Sequence, residues 1–265
     1  MKKYWTIFRV ELENTIAFRG PAFIWMLFDL LWIVVYPFIW VFIIRAQGGE
    51  IQGWNVTAII LYFVFMAVMN NFILMHPEVH VGDEIYTGNF SNYIVKPLSY
   101  LMNAFIHETA WKVVRTILFV PILFLLILII LRLGGFTIHA NQAPFAILVA
   151  LLAVPIYFLS AFIIGLTSFW LEDSSIARTI FWTTSGLFGG QYAPFELMPR
   201  FLDRIASALP FKYAIYFPLR VASQTMSSAE ILRGVLMQVI WMIALFILAK
   251  LVWKKGLTRY SAVGR

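Results

Sequence analysis

From Ala22 to Ile44 the chain carries a single charge, Asp29. At ~1.5 Å per residue such a run is long enough to cross a hydrocarbon core of about 30 Å. Apolar runs of the same kind place further spans at about 56–75, 116–132, 145–170, 178–194 and 233–253. Ahead of the first span, residues 2–18 set Trp5, Phe8, Leu12 and Ile16 at three- and four-residue spacing and turn Lys3, Thr6, Glu13 and Asn14 away, which predicts an amphipathic helix lying in the membrane interface. Arg19-Gly20-Pro21 ends that helix and redirects the chain across the membrane. The pattern predicts an all-α integral membrane protein, a single transmembrane domain over 1–265 with an N-terminal interfacial helix, six transmembrane helices and both termini cytoplasmic.

Two polar interruptions stand out. The first, from His76 to Arg115, contains Asp83-Glu84-Ile85-Tyr86-Thr87-Gly88-Asn89-Phe90-Ser91-Asn92-Tyr93, read as a short helix or turn, and Lys96-Pro97-Leu98, which sends the chain back toward the membrane. Phe90 and Tyr93 are expected to be exposed on it and to form an interaction surface. The second, Gly186–Ser223, is too apolar for an ordinary loop and too broken for one helix, because Pro194, Pro199, Pro210 and Pro218 each remove a backbone donor and disfavour helix at the preceding residue. Within it Met198, Phe201, Leu202, Ile205 and Leu209 are assigned to one face of a short helix and Arg200, Asp203 and Arg204 to another, as expected for a segment dipping into the outer leaflet. This pattern agrees with re-entrant helices over 195–220, between the fifth and sixth spans.

Charge does not fix the number of spans. Lys and Arg cluster at the ends of apolar runs, as the positive-inside bias requires, and they divide between the two sides identically whether the fifth span is counted or not. The charge-free run from Thr179 to Pro194, hard to place in water, favours six. Asp29 is either a pathway or helix-pairing residue, since an intramembrane charge costs ~2.5 kcal/mol or more unless partnered or hydrated, or a group held at headgroup level by water or an arginine. Asn70 and Asn71 are read as interhelical hydrogen-bonders.

Composition supports the membrane assignment and narrows the chemistry. Hydrophobic residues make up 62% of the chain and charged residues 12%, with 25 Phe, 11 Tyr and 10 Trp; mean hydropathy is +0.84. The net charge of +7 is dispersed over span ends, which argues against nucleic acid as a partner. There is no cysteine. His76-Pro77-Glu78-Val79-His80 fits no metalloprotease helix, because Pro77 stands where the glutamate should follow the first histidine, so it reads as a polar helix end and no metal is expected. No phosphate-binding G-x-x-x-x-G-K-[ST] loop occurs, and no serine sits in a G-x-S-x-G setting. The chain is therefore not expected to be an enzyme by itself.

The amphipathic helix before six spans, the EIYTGNFSNYIVKPLSYL stretch, the GLFGGQYAPFELMP…LPFKYAIYFP segment and the terminal LTRYSAVGR together resemble the permease subunits of type-2 ATP-binding-cassette (ABC) exporters. The resemblance implies that Glu84, Gly88, Phe90, Tyr93, Lys96 and Pro97 form the coupling region, about 83–98, that docks on a separate nucleotide-binding ATPase subunit. It implies that Pro194, Phe195, Pro199, Leu209, Pro210 and Phe211 belong to an outer gate, and that Lys254, Lys255 and Arg259 anchor the last span. ATP and Mg would be held by the ATPase and no cofactor by this chain. A second permease, a heterodimer being favoured over a homodimer, and membrane lipid would be the other partners, in the bacterial cytoplasmic (inner) membrane, with an amphiphilic substrate. The alternatives are a secondary transporter, which usually carries paired membrane charges, and a non-transporting membrane partner on the same scaffold.

Overall fold

The structure, a computed structural model, describes residues 2–94, 98–133, 143–171, 173–223 and 226–260. The chain opens with helix α1 (Lys2–Ala17) and α2 (Arg19–Ala46), then turns through a two-stranded antiparallel hairpin, β1 (Glu50–Ile51) and β2 (Trp54–Asn55). There follow α3 (Val56–Ile73), α4 (Pro77–Tyr86), α5 (Ser91–Ile94), α6 (Tyr100–Leu133), α7 (Ala143–Leu166), α8 (Ser175–Phe188), α9 (Arg200–Ser207), α10 (Phe217–Ser223) and α11 (Ser228–Leu257). The hairpin aside, the fold is all-α, as the apolar periodicity requires.

Local chemistry sets these boundaries. Asn55 caps α3 by accepting from the backbone N–H of Ala58 at 2.9 Å, and α4 starts on Pro77, whose missing N–H costs nothing in a first turn. Ser227 and Glu230 close a capping box at the start of α11. Pro37, Pro121 and Pro155 lie inside α2, α6 and α7, a placement that helix bundles in membranes tolerate because neighbours satisfy the freed backbone groups.

Among the described residues four helical stretches are long and apolar enough to cross a membrane: Val56–Ile73, Tyr100–Leu126, Pro144–Phe169 and Ser228–Leu257. Half of the α7 window is enclosed by protein, against 17% for α11, so α7 is the central post and α11 a flank. Around α7 pack α3, α4, α10 and α11, with Ile59, Phe158, Phe162, Ile215 and Leu219 in the shared core. The outward faces of α2, α6 and α11 remain apolar, as Phe38, Phe124 and Leu236 illustrate, a surface that only a non-aqueous surrounding or a partner makes inexpensive.

Three local expectations are revised. The helix expected from residue 116 begins at Tyr100, so α6 carries His107, Glu108 and Lys112 as extra turns. The apolar run expected to cross at 178–194 is helical only as far as Phe188, because the chain passes into a left-handed turn at Gly190 (φ +75°). On α1 the residues that face the protein are Tyr4, Ile7, Phe8, Glu11, Leu12 and the buried Thr15, whereas Trp5 and Ile16 point away. A helix held between protein and another apolar phase has two faces to satisfy, and a single amphipathic stripe does not distinguish them.

Candidate functional site

The first polar interruption folds as α4, a tight turn at Gly88 (φ +77°) and the short α5. The turn closes through Phe90 N–H, which donates to Glu84 O at 2.9 Å. Phe90 is not exposed, contrary to expectation: its side chain is 0% accessible. It sits edge-on to Tyr100, Phe169, Trp253 and Tyr260, with ring centroids 4.9, 5.5, 5.5 and 4.9 Å away. The Tyr260 hydroxyl also donates to Gly88 O at 2.9 Å. The turn is thereby fastened to the start of α6, the end of α7 and the end of α11.

Of the other coupling-region residues, Glu84 is nearly covered and accepts from the Tyr100 hydroxyl at 2.5 Å, and Tyr93 is half-buried, edge-on to Tyr100. Lys96 and Pro97 lie outside the described residues. What the turn presents outward is Asp83, Tyr86, Thr87, Asn89 and Asn92. Several of these, with His80 and Tyr93, line a shallow depression of about 750 Å³.

A belt of ionisable groups lies behind this turn. His80 of α4 stacks on His107 of α6 with centroids 3.8 Å apart and planes 7° from parallel. Glu11 of α1 meets Nδ1 of His107 at 2.8 Å, and Glu84 meets Nε2 of His80 at 3.2 Å. The pair thus ties α1, α4 and α6 together. Burial lowers the His80 pKa, but Glu84, helped by Glu108 and Glu11, brings it above its ordinary 6.5. The hydrogen bond from His107 holds the Glu11 carboxyl below 4.5; burial alone would raise Glu84, and its bonds to His80 and Tyr100 bring it below 4.5 as well. A raised histidine contributes fully below its ordinary pKa and is lost as pH rises through the folded value, whereas the lowered carboxylates are lost only as pH falls through theirs. The clamp is therefore firmest between 4.5 and 6.5 and loosens above. Amide hydrogen exchange over Lys2–Ala17, corrected for intrinsic rate, is expected to be faster at about pH 8.5 than at about pH 6, and His80→Ala is expected to shrink the difference.

In a motif passed over in the sequence as a polar helix end, His76-Pro77-Glu78, the proline and the glutamate prove to be internal. Glu78 is 0% accessible. Its Oε1 accepts from the indole N–H of Trp182 at 2.6 Å and lies 3.0 Å from His76 Nδ1. Lys112 donates to the carbonyls of Asn71 and Leu74 at the end of α3, the favoured place for a cation. Two cavities of about 380 and 410 Å³ meet here, sharing Asn71, Leu74, His76, Arg115 and Trp182. The only signal for Glu78 was its place beside two histidines. Among the described residues no group of three or more histidines, aspartates or glutamates is arranged to hold a metal.

The second interruption packs at the opposite end of α8. The Tyr62 hydroxyl donates to Gly190 O, and Trp40 Nε1 donates to Tyr192 O at 2.9 Å. Pro194 and Phe195 are buried, Phe195 edge-on to Tyr216 at 4.8 Å, and the Tyr216 hydroxyl bonds both oxygens of Glu196. Pro199 precedes α9 in extended geometry and is exposed. Lys212 pairs with Asp203 and with Ser207. Leu209 is half-buried, Pro210 is buried, and Phe211 meets Phe181 of α8 edge-on at 5.8 Å. On α9 the expected apolar face is divided: Ala206 is buried, while Phe201 and Ile205 are exposed at 61% and 45%. The chain then returns as a π-turn (Lys212–Tyr216), whose carbonyl at Tyr213 is satisfied by Gln238 Nε2 of α11 at 3.0 Å. The side chain of Asp29 lies outside the described residues. Asn70 donates to Gln191 Oε1 and Asn71 accepts from Thr116, so both bond across elements.

The chain is thus an apolar helical bundle with a fastened turn near Gly88 and a broken, pinned segment after Gly190. A family model described as ABC-2 family transporter protein matches residues 30–264. The chain belongs to that family, whose permeases work with an ATP-binding subunit. Comparison with curated proteins and with solved structures gave no match.

Proposed function

We propose that the chain is one of two permease subunits of an ATP-driven exporter in a bacterial cytoplasmic membrane. The observation that carries the docking role is the exposed turn around Tyr86, Thr87 and Asn89, rigidly held from behind by the Phe90 cage. A docking surface must transmit force, and a turn anchored to three long helices does so where a free loop does not. In this reading α1, α4 and both termini are cytoplasmic, and ATP and Mg bind in the separate ATPase. Six spans are formed by α2, α3, α6, α7, α8 and α11. At ~1.5 Å per residue α8 covers only about 21 Å, so the remaining depth falls to Gln191–Pro194 and the re-entrant return through α10. That broken backbone packs against α3 and α7, which suits the rule that irregular chain at membrane depth must be covered by protein.

Closure of the ATPases on ATP would push the docking turn, tilt the helices and release an amphiphile outward past 194–211. The exposed Phe201 and Ile205 of α9 support contact with lipid or with the second permease, most simply a non-identical one. The test is co-purification with a phosphate-loop ATPase subunit and vanadate-sensitive ATP hydrolysis in the complex. Tyr86→Glu combined with Asn89→Glu is expected to weaken that association at least tenfold, the scale of losing about 1.4 kcal/mol or more from an aromatic contact. Elution and melting of the permease itself should not change. Undiminished association would place the docking surface elsewhere.

A further inference from the structure

Helix α8 leads from the docking turn to the outer segment, and little holds it to the docking helix. Arg178 donates to Asp83 Oδ1 at 3.0 Å, but Asp83 is well exposed, and such a pair contributes little against water. The contacts of Trp182 are of a different kind, its ring lying edge-on to His76 at the start of α4, centroids 6.3 Å apart. Trp182, in the middle of α8, donates to Glu78 in the first turn of α4, and that carboxylate has no access to water. A hydrogen bond in such dehydrated surroundings has no water competing for it, and removing one partner leaves the other buried and unsatisfied. Glu78 Oε2 has no partner among the described residues, so the indole and His76 are what hold it.

We propose that the Trp182–Glu78 hydrogen bond is the link through which movement of the docking helix α4 is passed to α8 and so to the segment beyond Gly190. Glu78 and Trp182 are positioning residues in this scheme; neither need touch substrate. A displacement of α4 carries the Trp182 ring with it. Because that ring lines both cavities, the same movement reshapes the two together. Beside Trp182 in the middle of α8, Phe181 against Phe211, and just beyond the helix end Tyr62 on Gly190, convey the shift to the outer segment.

The inference rests on the transport reading above, and one experiment separates the two. Since the chain lacks cysteine, Arg204→Cys, on the exposed side of α9, provides a single site for a membrane-impermeant maleimide. The permease pair is reconstituted with its ATPase subunits, and labelling is timed with and without ATP plus vanadate. With the native link, labelling is expected to change several-fold on nucleotide trapping. Trp182→Phe is expected to assemble and hydrolyse ATP but lose that change, and Glu78→Leu, which removes the acceptor, is expected to lose it too. Glu78→Gln, which still accepts from the indole, should keep it. A merely structural bond would lower stability in the variants yet leave the nucleotide response in place, and that result overturns the inference alone. A reporter that ignores nucleotide even with the native link overturns the transport reading and this inference with it.

Discussion

Phe90→Ala is expected to cost about 3–5 kcal/mol of stability, the usual scale for emptying a fully buried aromatic site. The ring is enclosed by four others, each edge-on pair contributing about 0.5–1.5 kcal/mol beyond simple burial, and all four rings come from segments outside the turn that carries Phe90. Collapse cannot fill the space cheaply, because Tyr100 is tied to Glu84 and Tyr260 to Gly88 O. Thermal unfolding of the purified chain in detergent, followed by tryptophan emission, measures the loss directly, since Trp253 is part of the cage. Phe90→Asp is expected to yield no folded chain. A Phe90→Ala variant that melts with the native protein would put the ring back on the surface, where the sequence alone had set it.

Why the sequence misplaced Phe90 is instructive. The apolar runs that became α2, α3, α6, α7 and α11 are legible because a long charge-free stretch has few other destinations. The order of coupling turn, broken segment and last helix came from family resemblance. Neither route indicates which way a side chain points in a turn of a few residues. The burial of Phe90 depends on Phe169 and Trp253, remote in sequence, and no local periodicity encodes them. Glu78 was missed for a related reason. Beside Pro77 and two histidines it has the composition of a solvated helix end, and only α8 folding back over it makes it internal. On α1 and α9 the period was read correctly, but the two apolar directions, one toward the bundle and one away from it, merge into a single stripe in the sequence. The end of α8 was more accessible: Gly186, Gly189 and Gly190 marked a break there, though not that the helix would stop before Pro194.

That break supports a second large effect. Gly190→Val is expected to destabilise by about 3 kcal/mol, combining the ~1–2 kcal/mol penalty of a left-handed backbone for an L-residue with ~1–3 kcal/mol for overpacking. The backbone at Gly190 has φ +75°, and a Cβ there would lie 2.9 Å from the Tyr216 ring and 3.0 Å from the Tyr62 hydroxyl. Neither ring can yield easily, since Tyr216 is held by Glu196 and the Tyr62 hydroxyl is bonded to the Gly190 carbonyl itself. Gly20→Ala is the matched control: a Cβ at Gly20 meets nothing within 4 Å, and alanine favours helix by about 1 kcal/mol over glycine, so melting should hold or rise. Thermal unfolding of the two variants side by side separates a constraint specific to the turn from general sensitivity to glycine replacement. If Gly190→Val melted like the native chain, α8 would have to continue through Gly190 toward Pro194. In the proposed six-span reading the fifth span would then be an ordinary crossing helix, and the broken segment would begin after it.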